Sequence, residues 1–212
     1  STDIGSYDTK AVIIATGNVP RKLGVENEEQ LAYNGISWCA ICDGPIYRDK
    51  DVIVVGGGNS AVEEGYYLST FVKSVTVVQN LDRLTAEAKA NEKLIQQPNV
   101  KIYYETLVDK FLKDDKGLTG ATLKDKDGKI FDVFADGVFE YVGMIPVTDF
   151  VKHLGITTNY GYITVNEKME TKIPGILSCG DVNDKQIRQV VTAAGDGAVA
   201  AQNALKYLES LH

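Results

Sequence analysis

Cys39 and Cys42 are separated by two residues in the segment Trp38 to Gly44, and the carboxylate Asp43 and the glycine Gly44 follow at once. Two thiols so placed form an exchange-prone disulfide whose chemistry runs through the thiolate, and a tight turn lowers the pKa that governs it. Asp43 stands where it could give or take a proton during that exchange. It equally suits a turn before a glycine. The pair could also be half of a metal site. A structural zinc takes four ligands, and only Cys179, His153 and His212 remain to complete one, at scattered positions. Redox chemistry is therefore the better reading. Soon after, Asp51–Val55 runs into Gly56, Gly57, Gly58, Asn59, Ser60 and Ala61. In the pattern Gly56-x-Gly58-x-x-Ala61 the glycines let the backbone approach a pyrophosphate, and a helix N-terminus favours its charge. A βα turn without any ligand uses the same residues. A dithiol beside a dinucleotide-type turn points to electron transfer between a cofactor and a disulfide.

Other residues carry weaker signals. Glu63 and Glu64 are expected in the first turn of the helix after the glycines, where carboxylates complement the dipole. Gly180 and Asp181 follow a strand, and Arg188 and Gln189 open the last helix, which continues through Ala193, Gly195 and Gly197. Small residues there suit either close approach to a ligand or helix–sheet packing. Cys179 is expected to pack as a small apolar side chain.

The elements that must hold these residues read as an α/β fold. Strands are expected at 10–15, 51–55, 74–78 and 100–104, with helices at 60–71 and 86–95 between them. The run at 51–55 has no polar alternation, as in a parallel sheet covered on both faces. Short alternating segments at 106–112, 118–125 and 129–135, joined by Asp/Gly-rich turns, predict an antiparallel β-meander. Residues 137–142 return to the parallel sheet. Residues 18–22 and 143–146 read as linkers. Beyond them lie a short helix at 148–153, strands at 162–165 and 175–178, and a long helix at 188–208.

Bulk properties bound the function. The 212 residues are 44% hydrophobic and 24% charged, with a net charge of −7. That suits one large or two small globular domains. Without a basic stripe, nucleic acid is not an expected partner. No apolar run reaches membrane-spanning length. Three cysteines, two of them in the close pair, fit a reducing, cytoplasmic setting rather than a secreted disulfide framework. The chain starts at Ser1 and enters a buried-type strand within a few residues, so preceding sequence is expected.

The chain resembles the low-molecular-weight thioredoxin reductases of bacteria over essentially its whole length. The resemblance rests on Ala15-Thr16-Gly17, the Cys39 to Gly44 dithiol, the run Gly56 to Glu64, Tyr141 to Gly143, Gly175 to Asp181, Arg188-Gln189 and Ala193 to Gly195. It implies an FAD- and NADPH-dependent disulfide oxidoreductase, homodimeric, with thioredoxin as its protein substrate. It implies residues 1–20 and 144–212 as remnants of an FAD domain whose first part is missing. Residues 21–143 become a nicotinamide-nucleotide domain carrying the dithiol, able to rotate between two positions. Carried over, Cys42 faces the flavin, Cys39 attacks the thioredoxin disulfide and Asp43 supplies the proton. Ala15, Thr16, Gly17, Gly180, Asp181, Arg188 and Gln189 line the FAD side. Gly56, Gly58, Asn59, Ser60, Ala61 and Glu63 line the nicotinamide-nucleotide side. One departure stands out: the family's His-Arg-Arg-x-x-x-Arg for the 2′-phosphate is replaced by Gln79 to Thr85, with Asn80, Leu81 and Thr85 at the arginine positions. A 2′-phosphate needs cationic partners, so the donor could be NADPH, NADH or, as in the ferredoxin-dependent flavin thioredoxin reductases, ferredoxin. A non-catalytic nucleotide-binding fragment is a further alternative.

Overall fold

The computed structural model describes residues 4–211. Twelve strands are described: β1 (Val12–Ile14), β2 (Asn18–Pro20), β3 (Ile36–Ser37), β4 (Asp51–Val55), β5 (Ser74–Val78), β6 (Val100–Tyr103), β7 (Thr106–Asp114), β8 (Gly117–Asp125), β9 (Ile130–Phe134), β10 (Gly137–Glu140), β11 (Met144–Pro146) and β12 (Ile176–Ser178). The helices are α1 (Glu28–Leu31), α2 (Ala40–Asp43), α3 (Asn59–Ser69), α4 (Ala88–Ile95) and α5 (Val190–Glu209). They fall into two compact units. One is Arg21–Gly143; the other joins the residues up to Pro20 with those from Met144 onward.

The unit Arg21–Gly143 is built on a parallel sheet in the order β3-β10-β4-β5-β6, with the separate antiparallel meander β7-β8-β9. The apolar run of β4 serves two cores at once. Val52 and Val54 pack with Val62 and Leu68 of α3 and Leu94 of α4. Ile53 and Val55 pack with Phe111 of β7 and Ala121 and Leu123 of β8. Successive side chains of a strand point to opposite faces, so a strand covered on both sides has no place for polar alternation. The βαβ unit from β4 through α3 to β5 puts the glycine turn at the carboxyl end of β4, the usual ligand end of such sheets.

In the second unit β1 pairs in parallel with β12 and β2 pairs antiparallel with β11. Ile14, Val151, Ile156, Ile163 and Val182 form its core. Asp149–Leu154 is a 3₁₀ segment, and α5 closes the chain. Among the described residues no helix is long and apolar enough to cross a membrane.

Several expectations need correction. Residues 18–22 and 143–146 are not plain linkers, because β2 and β11 pair across them. Proline suits such a short two-stranded ribbon, whose edges need no further N–H donors. Residues 162–165 form no strand; only Ile163 makes isolated bridges, to Thr157 and Asn183. The last helix starts at Val190, with Gln189 as its N-cap and a Gln189–Thr192 capping box. Helix α3 starts at Asn59, so Glu63 and Glu64 lie in its second turn, beyond the dipole's short reach.

Candidate redox site: the dithiol and the glycine turn

Edge strand β3 delivers the chain to the dithiol. Cys39 and Cys42 are joined by a disulfide, with Cα atoms 5.3 Å apart. Cys39 is the N-cap of α2, and its Sγ accepts the Cys42 N–H at 3.2 Å. Cys42 is exposed and Cys39 half-buried. Cys179, in the other unit, is free and buried, and burial followed by the nearby Asp196 charge pushes its thiol pKa up. That suits inert packing.

Side chains beyond the motif hold the turn. The buried Ser37 hydroxyl donates to Asp43 Oδ2 at 2.6 Å and accepts the Cys39 N–H at 3.1 Å. The Ala40 N–H donates to Glu64 Oε2 (2.6 Å) and to Tyr141 Oη (2.9 Å), and the Tyr141 hydroxyl itself donates to Glu64 Oε2 at 2.6 Å. Burial, then the Glu64 carboxylate, push the Tyr141 phenol above its ordinary range, so it remains a donor. Trp38 Nε1–H donates to Glu140 Oε2 at 3.1 Å. Sequence reasoning missed Ser37, Glu64 and Tyr141 as supports of the dithiol. Glu64 and Tyr141 gave a signal as members of the quoted runs Gly56 to Glu64 and Tyr141 to Gly143, though not for this role; Ser37 gave none.

In the same unit the glycine turn opens α3. Gly56 has φ 124°, and a Cβ there would lie 2.5 Å from the Tyr141 carbonyl oxygen. Gly58 caps α3 in an extended conformation, with no side-chain cap. Asn59 and Ser60 are exposed, Ala61 is buried against the sheet and Glu63 points to solvent. The first N–H groups of a helix lack intrahelical partners, so Gly58 to Ala61 offer the donors a pyrophosphate needs.

The segment after β5 folds back over this turn. Gln79 is buried against Gly57, and its Nε2 donates to Arg83 O at 2.9 Å. The Thr85 N–H and hydroxyl donate to Gly57 O at 2.7 and 3.2 Å. Asn59 Oδ1 accepts the Glu87 N–H. Arg83 is exposed and paired with Asp82 at 3.0 Å. A 2′-phosphate needs cationic partners, and the guanidinium of this segment, Arg83, is paired with Asp82.

The second unit holds the remaining candidates. Ala15 to Gly17 follow β1, and Gly180 and Asp181 follow its partner β12, so strand pairing brings the two turns together. Thr16 Oγ1 donates to Val147 O (2.7 Å), and Gly17 has φ 67°. Arg188 donates to the carbonyls of Asp181 and Asn183 at 3.3 Å and lies over the Tyr162 ring at 4.2 Å. Asp181 Oδ1 is buried without a protein partner. Buried polar atoms are nearly always bonded, and a cofactor hydroxyl at this point would complete the set.

Residues 2–197 match the family model for pyridine nucleotide-disulphide oxidoreductases. A thioredoxin reductase of Listeria monocytogenes serovar 1/2a is 45% identical over 207 residues, covering 97% of this chain and 65% of the relative. One from Bacillus subtilis strain 168 is 41% identical over 206 residues, with the same coverage. The chain belongs to the thioredoxin reductase family. The crystal structure of thioredoxin reductase from Streptococcus pyogenes MGAS5005 superimposes with a TM-score of 0.91 at 44% identity, over 99% of this chain and 69% of that one. The fold is therefore that of thioredoxin reductases: a parallel five-stranded sheet with a three-stranded antiparallel meander. The chain spans about 65% of the length of these two curated relatives.

Proposed function

We propose that the protein passes electrons from a reduced nicotinamide, by way of FAD, to the Cys39–Cys42 disulfide and on to a disulfide of thioredoxin or a thioredoxin-like protein. The observation that carries this is the disulfide itself, at the start of α2 with Cys42 exposed, in one unit with the glycine turn. When bound, flavin and nicotinamide supply the hydride chemistry; the chain supplies position and access. The glycine turn and the N-terminus of α3 would hold the nucleotide pyrophosphate. Asp181, Gly180 and the Ala15 to Gly17 turn would hold FAD, with Arg188 and Gln189 near them.

The later steps belong to the chain's own sulfurs. The reduced Cys39 thiolate attacks one sulfur of the partner disulfide and expels the other as a thiolate. Cys42 then attacks Cys39, restoring the internal disulfide and releasing the second partner thiolate. The two protons given up by the Cys39 and Cys42 thiols end on the two expelled thiolates, and Asp43, held by Ser37, is the carboxyl placed to relay them.

A second reading has reduced ferredoxin as the donor. The replacement of the three arginines and the pairing of Arg83 with Asp82 favour it. The test is thioredoxin reduction by the FAD-supplemented chain, and by the product of its entire gene, with NADPH, NADH and reduced ferredoxin in turn. Cys42→Ser should abolish reduction with every donor. Reduction by that variant at the unchanged rate would overturn the dithiol route.

A further inference from the structure

Glu140 ends the interior strand β10 opposite Val55 of β4 and is 1% exposed. A carboxylate so deeply buried is expected to carry full hydrogen bonding. Glu140 does not. Oε2 accepts only the Trp38 indole N–H, and Oε1 is buried with no donor in reach. What faces it is a second carboxyl, Glu28 of α1, within hydrogen-bonding reach and 2% exposed. The oxygens of Glu28 are already taken by N–H donors. Leu23 N–H reaches Oε1 at 2.8 Å; Gly24 and Val25 N–H reach Oε2 at 2.6 and 3.3 Å. Glu28 is therefore the acceptor of the pair, and two ionised carboxylates in contact would repel.

We propose that Glu140 stands as a carboxylic acid that donates to Glu28 and accepts from Trp38, and so acts as a positioning residue for the neighbouring Cys39. The inference rests on the dithiol being the redox centre. Its basis is that the segment Ser37 to Ala40 is fastened from two sides. Glu64 and Tyr141 hold the Ala40 N–H, and Glu140 holds the Trp38 side chain.

The charged groups acting on Glu140 are Glu28 and Lys22. Lys22 is bound to Glu29 at 2.8 Å. The partner of Glu140 on the adjoining strand is the apolar Val55. Burial first, then the Glu28 charge, push the Glu140 carboxyl up to about 8.

Trp38 is the single tryptophan, so its fluorescence reports the link directly. The experiment uses the oxidised chain in a Tyr33→Phe background, which removes the phenol packed edge-on to Trp38 at 5.2 Å. Trp38 emission should show one transition centred near pH 8. Glu140→Gln keeps an oxygen for Trp38 and an N–H for Glu28, so its emission should stay flat at the acid-form value. Glu28→Gln removes a like charge, so the transition should move to lower pH. The dithiol is read separately, by its exchange equilibrium with glutathione. Glu140→Leu removes the Trp38 acceptor and should shift that equilibrium roughly threefold or more, whereas Glu140→Gln should leave it within about twofold. A flat titration in the parent, a retained transition in Glu140→Gln, or an unmoved equilibrium in Glu140→Leu would overturn the proposal. A failure to reduce thioredoxin would leave these readouts intact and count against the proposed function alone.

Discussion

The single Ala40 N–H shared between Glu64 and Tyr141 ties α2 to α3, and Tyr141 makes the arrangement work by donating to the same carboxylate oxygen. Tyr141→Phe would leave that half-buried carboxylate one donor short. The expected loss is about 1–3 kcal/mol of stability, read from urea unfolding followed by Trp38 fluorescence. Glu140 makes stability depend on pH. Its folded pKa, about 8, lies above the usual 4.5, so the folded state binds the extra proton between those values. Its contribution is fully present at acid pH and is lost as pH rises towards 8, at up to about 1.4 kcal/mol per pH unit. Unfolding midpoints across that range should fall in the parent and flatten in Glu140→Gln. For the sulfurs, thiol counting in the native state should rise by two on reduction, from Cys39 and Cys42, with buried Cys179 reacting only on unfolding.

At the scale of elements, the glycine turn makes a prediction of contrast. Gly56 combines a left-handed φ with a backbone oxygen 2.5 Å from any added Cβ. Gly57 has no left-handed φ, and a Cβ there would meet the end of the Gln79 side chain rather than backbone, at the cost of that side chain's bond to Arg83 O. Gly56→Ala should therefore destabilise the chain by roughly 2 kcal/mol or more, and Gly57→Ala by clearly less, as thermal unfolding of the two would show. The long elements were legible in sequence because each is a run with one period: β4, β5, α3, and the meander strands with their Asp/Gly turns. The ones that build the dithiol were not. Strand β3 has two residues and α2 has four, too short for any period to register. They exist because β10 pairs with β3 and because Glu64 and Tyr141 capture the Ala40 N–H.

For the molecule as a whole, the second unit leaves apolar groups in solvent. Val12 and Ile13 of β1 are 44% and 40% exposed, and Val190 and Val191 at the start of α5 are 88% and 77% exposed. Parallel strands are normally covered on both faces, and open apolar surface promotes association. This chain alone should self-associate with rising concentration in sedimentation velocity, and a Val190→Lys/Val191→Lys double variant should reduce that. Nucleotide choice belongs here too, because it depends on several elements meeting. With Arg83 paired and the segment 79–87 folded over Gly57, NADP⁺ should bind no more than about tenfold tighter than NAD⁺ by calorimetry. A preference of roughly a hundredfold would require another cation at the phosphate.

The amino-acid order alone determined the parallel sheet, the meander, the dithiol and the glycine turn, because each is a local pattern of period, spacing or turn chemistry. It also showed the missing arginines at 80, 81 and 85. The tertiary structure alone decided which distant groups complete these patterns. Glu64 reaches Ala40 across 24 residues, Tyr141 across 101, and Trp38 meets Glu140 across 102. It also showed two linkers pairing as β2 and β11, and one buried carboxyl facing another. Hydrogen bonds and charge burial act through space, so nothing in the spacing of Glu28 and Glu140 along the chain announces that they meet.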